Sequence, residues 1–81
     1  MNSYITYIIY SESIGRYYVG STLMTLEDRL QRHNSNHKGF TGRANDWVVV
    51  HKCVFKDVSS SRQLEAKIKK RGPKRYIDDL A

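Results

Sequence analysis

The sequence contains very little cysteine. Cys53 is the only cysteine among 81 residues, so the chain cannot form an internal disulfide. No group of cysteine and histidine residues has the spacing of a zinc site. A chain of 81 residues is close to the smallest that folds without such cross-links. We therefore expect one domain over residues 1–81, held by its hydrophobic core, in a reducing intracellular setting.

Long apolar runs are missing as well. No uninterrupted apolar segment approaches the roughly 20 residues that cross a bilayer. The N-terminal sequence MNSYITYIIYS lacks the basic start and the long apolar stretch of a signal peptide. These absences predict a soluble, cytoplasmic protein without a membrane partner.

Acidic residues are few relative to basic ones. The chain has 14 Lys and Arg against 8 Asp and Glu, a formal net charge of +6. Much of the excess lies in residues 62–75, where Glu65 is the only acid. This cluster favours a polyanionic partner, because each neutralised phosphate releases condensed counterions. The alternative is a solvated helix face that keeps the protein soluble. The candidate nucleic-acid-binding residues are Arg62, Lys67, Lys69, Lys70, Arg71, Lys74 and Arg75.

The hydrophobic pattern of the first half predicts a β-hairpin and a helix. Residues 4–11 and 16–21 are rich in Tyr, Ile and Val and are joined by a short link ending in glycine, as in an antiparallel hairpin. Thr25 followed by Asp28 resembles a capping box that opens a helix. Residues 47–55 are largely apolar on both alternating faces, which predicts an interior strand covered by helices.

The last third of the chain predicts two helices. Ser60 with Gln63 is a second cap signal, and Gly72 is expected to end that helix in a left-handed conformation. Pro73 then favours the start of a short closing helix. The apolar residues expected to pack this closing helix onto the domain are Tyr76, Ile77 and Leu80.

Two groups of polar residues on the predicted helices are candidates for chemistry. Arg29 and His33 are four residues apart and share a helix face. Residues 34–46 are rich in Asn, Ser, Gly, Lys and Arg, which predicts a mobile loop near His33. Glu65 is placed beside the buried side of its helix; the alternative is a simple intrahelical ion pair with Lys69.

Four segments of the sequence follow the order of the motifs of one nuclease family. Ile5-Thr6-Tyr7 and Tyr18-Val19-Gly20 correspond to its two short signatures, the first keeping only the tyrosine and the second with Val for Ile. YYVGSTLMTLEDRLQRHN matches its second strand, turn and helix bearing Arg and His, and SSRQLEAKIKK its helix bearing Glu. Over residues 4–77 the chain resembles the GIY-YIG nucleases, in particular small stand-alone UvrC-like members.

The resemblance implies an α+β fold, a small three-stranded antiparallel sheet flanked by helices. It also implies metal-dependent hydrolysis of phosphodiester bonds in DNA, in repair, recombination or related processing. Glu65 would bind one Mg²⁺ or Mn²⁺ ion, with no small-molecule cofactor. The implied catalytic residues are Tyr7, Tyr18, Arg29, His33 and Glu65.

Each of these residues has an implied role and most have a plainer alternative. Arg29 would present its guanidinium fork to the scissile phosphate, and Tyr18 would orient or deprotonate the attacking water. Tyr7 would hydrogen-bond Tyr18 or the phosphate, or else mainly pack. His33 would shuttle a proton or bind phosphate, or else only position Arg29. Gly20 either leaves room for a close approach or relieves strain at the strand end.

The sequence departs from the family pattern near its C-terminus. Many members have an Asn after the metal-binding Glu, whereas none follows Glu65 here, and Asp78 and Tyr76 are the candidate substitutes. An alternative function is a nucleic-acid-binding module that kept the fold without catalysis or that needs a protein partner for targeting. The presence of an acid among the basic residues favours the enzyme, because binding alone does not require one.

Overall fold

The computed structural model describes residues 3–23, 25–35 and 38–80, and these form a sheet with helices on both faces. The strands are β1 (Tyr4–Ser11), β2 (Arg16–Thr22) and β3 (Trp47–Phe55). The helices are α1 (Leu26–His33), α2 (Val58–Arg71) and α3 (Pro73–Leu80), with a 3₁₀ helix at Phe40–Arg43. All strand pairs are antiparallel, in the order β2-β1-β3. The predicted α+β fold class is confirmed.

Strand β1 is central and is buried on both faces. Tyr7 and Ile9 pack in one core with Leu26 of α1 and Trp47 of β3. Ile8 packs in a second core on the opposite face. Because successive residues of a strand point to opposite faces, β1 serves both cores at once. Tyr7 therefore lies on the side of the sheet that α1 covers.

The predicted hairpin and first helix cap are confirmed. In the hairpin Ser11 pairs with Arg16, and Gly15 has a φ of 62°, which glycine adopts without strain. The side chain of Thr25 accepts a hydrogen bond from the backbone N–H of Asp28 at 3.3 Å. This cap fixes where α1 begins and so sets the positions of the side chains that follow.

The prediction for residues 47–55 was wrong in one respect, because β3 is an edge strand. The interior position belongs to β1, and β3 pairs with it alone. Val48, Val50 and Val54 are consequently exposed. A β-bulge at this pairing shifts the register between Ile8 and Ile9.

Two predictions about the C-terminal helices also need correction. The N-cap of α2 is Asp57, whose carboxylate accepts the backbone N–H of Ser60 at 2.7 Å, so the helix begins before the predicted cap. Gly72 ends the helix with φ 97° and ψ 126°, a positive φ but outside the left-handed helical region. Pro73 opens α3 as predicted, yet Leu80 is exposed rather than packed.

The described part of the loop before β3 contains the 3₁₀ helix, where the sequence predicted no regular structure; residues 36 and 37 of that loop lie outside the described residues. Thr41 in this helix hydrogen-bonds His33, so the segment does lie next to His33. Among the described residues, no helix is both long and apolar enough to cross a membrane.

Candidate active site

Tyr7 and Gly20 face each other across the β1–β2 ladder. A Cβ atom at Gly20 would lie 2.5 Å from the hydroxyl oxygen of Tyr7 and 2.8 Å from its ring carbon Cζ. Only a residue without a side chain leaves room for the Tyr7 phenol there. Gly20 has no positive φ. Gly20 therefore makes room for a close approach, but the group that approaches is the Tyr7 side chain and not the backbone or the substrate expected from the sequence.

The Tyr7 hydroxyl is the centre of a hydrogen-bonded chain. It lies 2.7 Å from His33 Nε2 and accepts the Nε–H of Arg29 at 3.3 Å. Arg29 can only donate, but the phenol oxygen can accept a second hydrogen bond, so the direction of the bond between Tyr7 and His33 is set by whether the imidazole proton is on Nε2 or on Nδ1. The Nδ1 atom lies 2.8 Å from the hydroxyl of Thr41. Tyr7 thus bonds His33 and Arg29, rather than Tyr18.

Burial and the neighbouring charge set the protonation of this chain. Burial raises the pKa of Tyr7, and the hydrogen bond and charge of Arg29 oppose that rise only in part. The phenol is therefore neutral at physiological pH. The hydrogen bond to Tyr7 raises the pKa of Arg29, despite partial burial of the guanidinium. A permanent cation and a neutral hydroxyl are thus held side by side.

Glu65 extends from α2 toward the sheet and binds residues on both elements. Its Oε1 accepts the hydroxyl of Ser21 at 2.9 Å, and its Oε2 accepts Lys69 Nζ at 2.8 Å. Burial raises the pKa of Glu65, but the hydrogen bonds from Lys69 and Ser21 outweigh it and hold the pKa below its usual range. The carboxylate is ionised at neutral pH. The intrahelical pair predicted as the alternative for Glu65 is present, together with a second partner that the sequence did not indicate.

These side chains line two clefts that share a wall. The first, which we name the glutamate cleft, has a volume of about 440 Å³ and is lined by Tyr7, Tyr18, Arg29, Arg62, Glu65 and Lys69, among others. The second, the histidine cleft, has a volume of about 580 Å³ and is lined by Tyr18, Arg29, Arg32, His33, Phe40 and Thr41, among others. Tyr18 and Arg29 belong to both, so the five predicted catalytic residues gather around one wall.

Comparison with known families agrees with this arrangement. A family model described as the GIY-YIG catalytic domain matches residues 3–76, nearly the whole chain. The chain belongs to the GIY-YIG family. The predicted family is confirmed, and because its members are generally nucleases, so is the coarse assignment to a nuclease family. No curated protein and no solved structure matched the chain significantly.

The glutamate cleft of this GIY-YIG domain has the chemistry for a loosely held divalent ion. Within the described residues, no group of three or more His, Cys, Asp or Glu side chains could hold a metal. Of the described residues that line the cleft, Glu65 alone carries a carboxylate, and the hydroxyl of Ser21 lies beside it. Mg²⁺ keeps several waters and takes one or two carboxylates plus substrate phosphates. An ionised Glu65 in an open cleft fits that pattern, because water and substrate phosphate would complete the coordination of the ion.

The predicted nucleic-acid-binding residues of the GIY-YIG domain do not share one face. Arg62 and Lys69 line the glutamate cleft. Arg71 is paired with Asp79 at 2.9 Å and Lys74 with Asp78 at 3.2 Å, both on the exposed surface of α2 and α3. The remaining three, Lys67, Lys70 and Arg75, are exposed and do not line the cleft.

Neither residue named as a substitute for the family's Asn lines the glutamate cleft. Asp78 is paired with Lys74, and Tyr76 packs its ring 5.6 Å from that of His51. The side chains that hydrogen-bond the metal-binding candidate Glu65 are instead Lys69 of the same helix and Ser21, which comes directly after the Tyr18–Gly20 motif. Only Ser21 of these two is uncharged. The sequence shows that Ser21 follows the glycine of this motif. It does not show that Ser21 hydrogen-bonds Glu65, which is 44 residues later in the chain.

Proposed function

We propose that this GIY-YIG domain is a divalent-metal-dependent endonuclease that hydrolyses phosphodiester bonds in DNA, in repair, recombination or related processing. The observation that supports it most is an ionised carboxylate, Glu65, in the same cleft as Arg29 and Tyr18. A cleft that only bound polyanions would gain nothing from a negative charge beside the phosphate. A cleft that hydrolyses a phosphodiester bond, in contrast, can use this negative charge to bind a divalent cation.

We assign a role to each side chain around the shared wall from its contacts. Arg29 keeps its Nε–H on Tyr7, which leaves its terminal amino groups to bind the scissile phosphate. Tyr18 faces both clefts and would orient the attacking water or accept its proton. Tyr7 accepts a hydrogen bond from Arg29 and bonds His33 in turn, and this chain would provide a path for a proton. Mg²⁺ or Mn²⁺ bound at Glu65 would neutralise charge that develops on the phosphoryl oxygens.

The proposal is tested by the metal dependence of cleavage. Purified protein is incubated with supercoiled plasmid and with branched DNA, in Mg²⁺, in Mn²⁺ and in EDTA. We expect nicking with either metal, none in EDTA, and recovery when the metal is restored. Cleavage that persists in EDTA would contradict the metal role. The ion pair between Lys69 and Glu65 favours a second candidate, a non-catalytic binding module, and DNA binding without cleavage of any substrate would select it.

DNA binding is expected to depend on the basic residues that line the cleft. Replacing Arg62 and Lys69 together with alanine should reduce the slope of log affinity against log salt by up to about 1.8, since each phosphate contact contributes about 0.9. The matched control replaces Lys67 and Lys74, which also removes two positive charges, both outside the cleft lining. Equal changes in the two double variants, measured by fluorescence anisotropy, would place the DNA on a different face.

A further inference from the structure

Phe40 is an exposed aromatic side chain at the edge of the histidine cleft, and the mechanism above does not use it. Its residue surface is 41 % exposed. Its ring lies nearly parallel to that of Tyr18, at 21° and 6.1 Å between centroids. The two rings form a continuous aromatic wall that leads from the surface to the residue proposed to orient the attacking water.

The backbone that presents Phe40 is held in place on several sides. The next residue, Thr41, hydrogen-bonds His33 through its hydroxyl, and its carbonyl accepts the indole N–H of Trp47 at 2.7 Å. The Phe40 ring itself lies 6.2 Å from the ring of Trp47. An exposed ring on such an anchored turn is preorganised for a contact, which lowers the entropy lost on binding.

Positive charge surrounds this ring. The Arg43 guanidinium carbon lies 5.3 Å from the centre of the Phe40 ring. Arg29 and Arg32 line the same cleft. Among the described residues that line it, none is acidic. The surface therefore combines a flat aromatic face with cations, which is the combination that binds a single-stranded nucleotide by stacking its base and neutralising its phosphate.

We propose that Phe40, with Arg43 near its ring and Arg32 in the lining of the same cleft, binds an unpaired base adjacent to the scissile phosphate. The preferred substrate is thus DNA with a single-stranded segment at the cleavage position. A base inside a continuous duplex is already stacked on both sides and cannot lie on Phe40. This inference rests on the proposed nuclease function for its biological meaning, but the base contact is measurable without cleavage.

The test measures binding in EDTA, so that cleavage does not contribute. The probe is a short DNA duplex with a single-stranded overhang that carries 2-aminopurine, whose fluorescence is quenched when it stacks on an aromatic ring. The comparison is the same sequence fully paired. We expect the wild-type protein to quench the unpaired probe and to bind the overhang DNA more tightly than the duplex.

The variants separate stacking from other effects of Phe40. Phe40→Leu should abolish the quenching and weaken binding to the overhang DNA by about 5- to 150-fold, the effect of losing one base–aromatic stack, while duplex binding changes little. Phe40→Trp should retain both properties. The control for loss of a phenyl ring elsewhere is Phe55→Leu. Phe55 is the last residue of β3, whereas Phe40 lies in the 3₁₀ helix that precedes β3, so this variant should behave as wild type.

Quenching and selectivity that survive in Phe40→Leu would overturn this inference and leave the nuclease proposal intact. A wild-type preference for fully paired DNA would overturn it as well. Conversely, selectivity that depends on Phe40 in a protein that cleaves no DNA would support the base contact and remove the enzymatic function. Melting temperatures of the variants show whether each remains folded.

Discussion

Replacing Glu65 with glutamine is expected to remove metal-dependent cleavage, by at least about 100-fold, while the protein stays folded. Losing one group that stabilises charge in a transition state has an effect of this size. The amide keeps an oxygen that can accept the hydroxyl of Ser21, so that contact survives. Loss of the partly exposed ion pair with Lys69 costs about 0.5 kcal/mol. The melting temperature should therefore fall by no more than about 4 °C.

Two further variants distinguish a metal ligand from a structural ion pair. Lys69→Gln breaks the same pair from the other side but keeps the carboxylate, so we expect weaker DNA binding with cleavage that still requires metal. Asp79→Asn breaks the exposed pair with Arg71 outside the cleft and should cleave as wild type does. If Glu65→Gln retains wild-type turnover with Mg²⁺, the metal role of Glu65 is wrong. If Lys69→Gln loses as much turnover as Glu65→Gln at saturating DNA, the ion pair and not the free carboxylate is what cleavage requires.

The sequence predicted most of the features that local signals determine, although the N-cap of α2 is Asp57 and not the predicted Ser60. The hairpin glycine, the Thr25 cap and Pro73 at the start of α3 each act within a few residues, and all three were located correctly. The prediction that residues 47–55 form an interior strand was wrong because their run of valines is typical of a strand buried on both faces. Only the pairing of β1 with both other strands shows that β3 is at an edge.

The candidate site shows the same division between local and distant information. Family motifs indicated Tyr7, Tyr18, Arg29, His33 and Glu65, and these side chains do surround one wall. The contacts that fix them join residues far apart in sequence: Ser21 with Glu65, and Tyr7 with His33. Such pairs depend on how helices pack on the sheet, and a single sequence without a structure does not reveal them.

Replacing Arg29 with lysine is expected to separate DNA binding from catalysis. The guanidinium donates Nε–H to Tyr7 at 3.3 Å while its terminal amino groups remain available for a phosphate. A lysine ammonium carries the same charge on one nitrogen and cannot reproduce that planar fork. DNA affinity should stay within about threefold of wild type, whereas cleavage at saturating DNA should fall by about 10²- to 10³-fold.

The stability of Arg29→Lys is expected to change little, because the buried Tyr7 hydroxyl keeps its hydrogen bond with His33 at 2.7 Å and is not left without a partner. Arg16→Lys makes the same chemical change at the exposed start of β2, outside both clefts, and should keep both affinity and turnover within about threefold. The two quantities come from anisotropy titrations in EDTA and from single-turnover cleavage in Mg²⁺. An Arg29→Lys variant whose affinity falls while its cleavage rate at saturating DNA stays at the wild-type value would show that Arg29 binds the ground-state phosphate and does no more in the transition state.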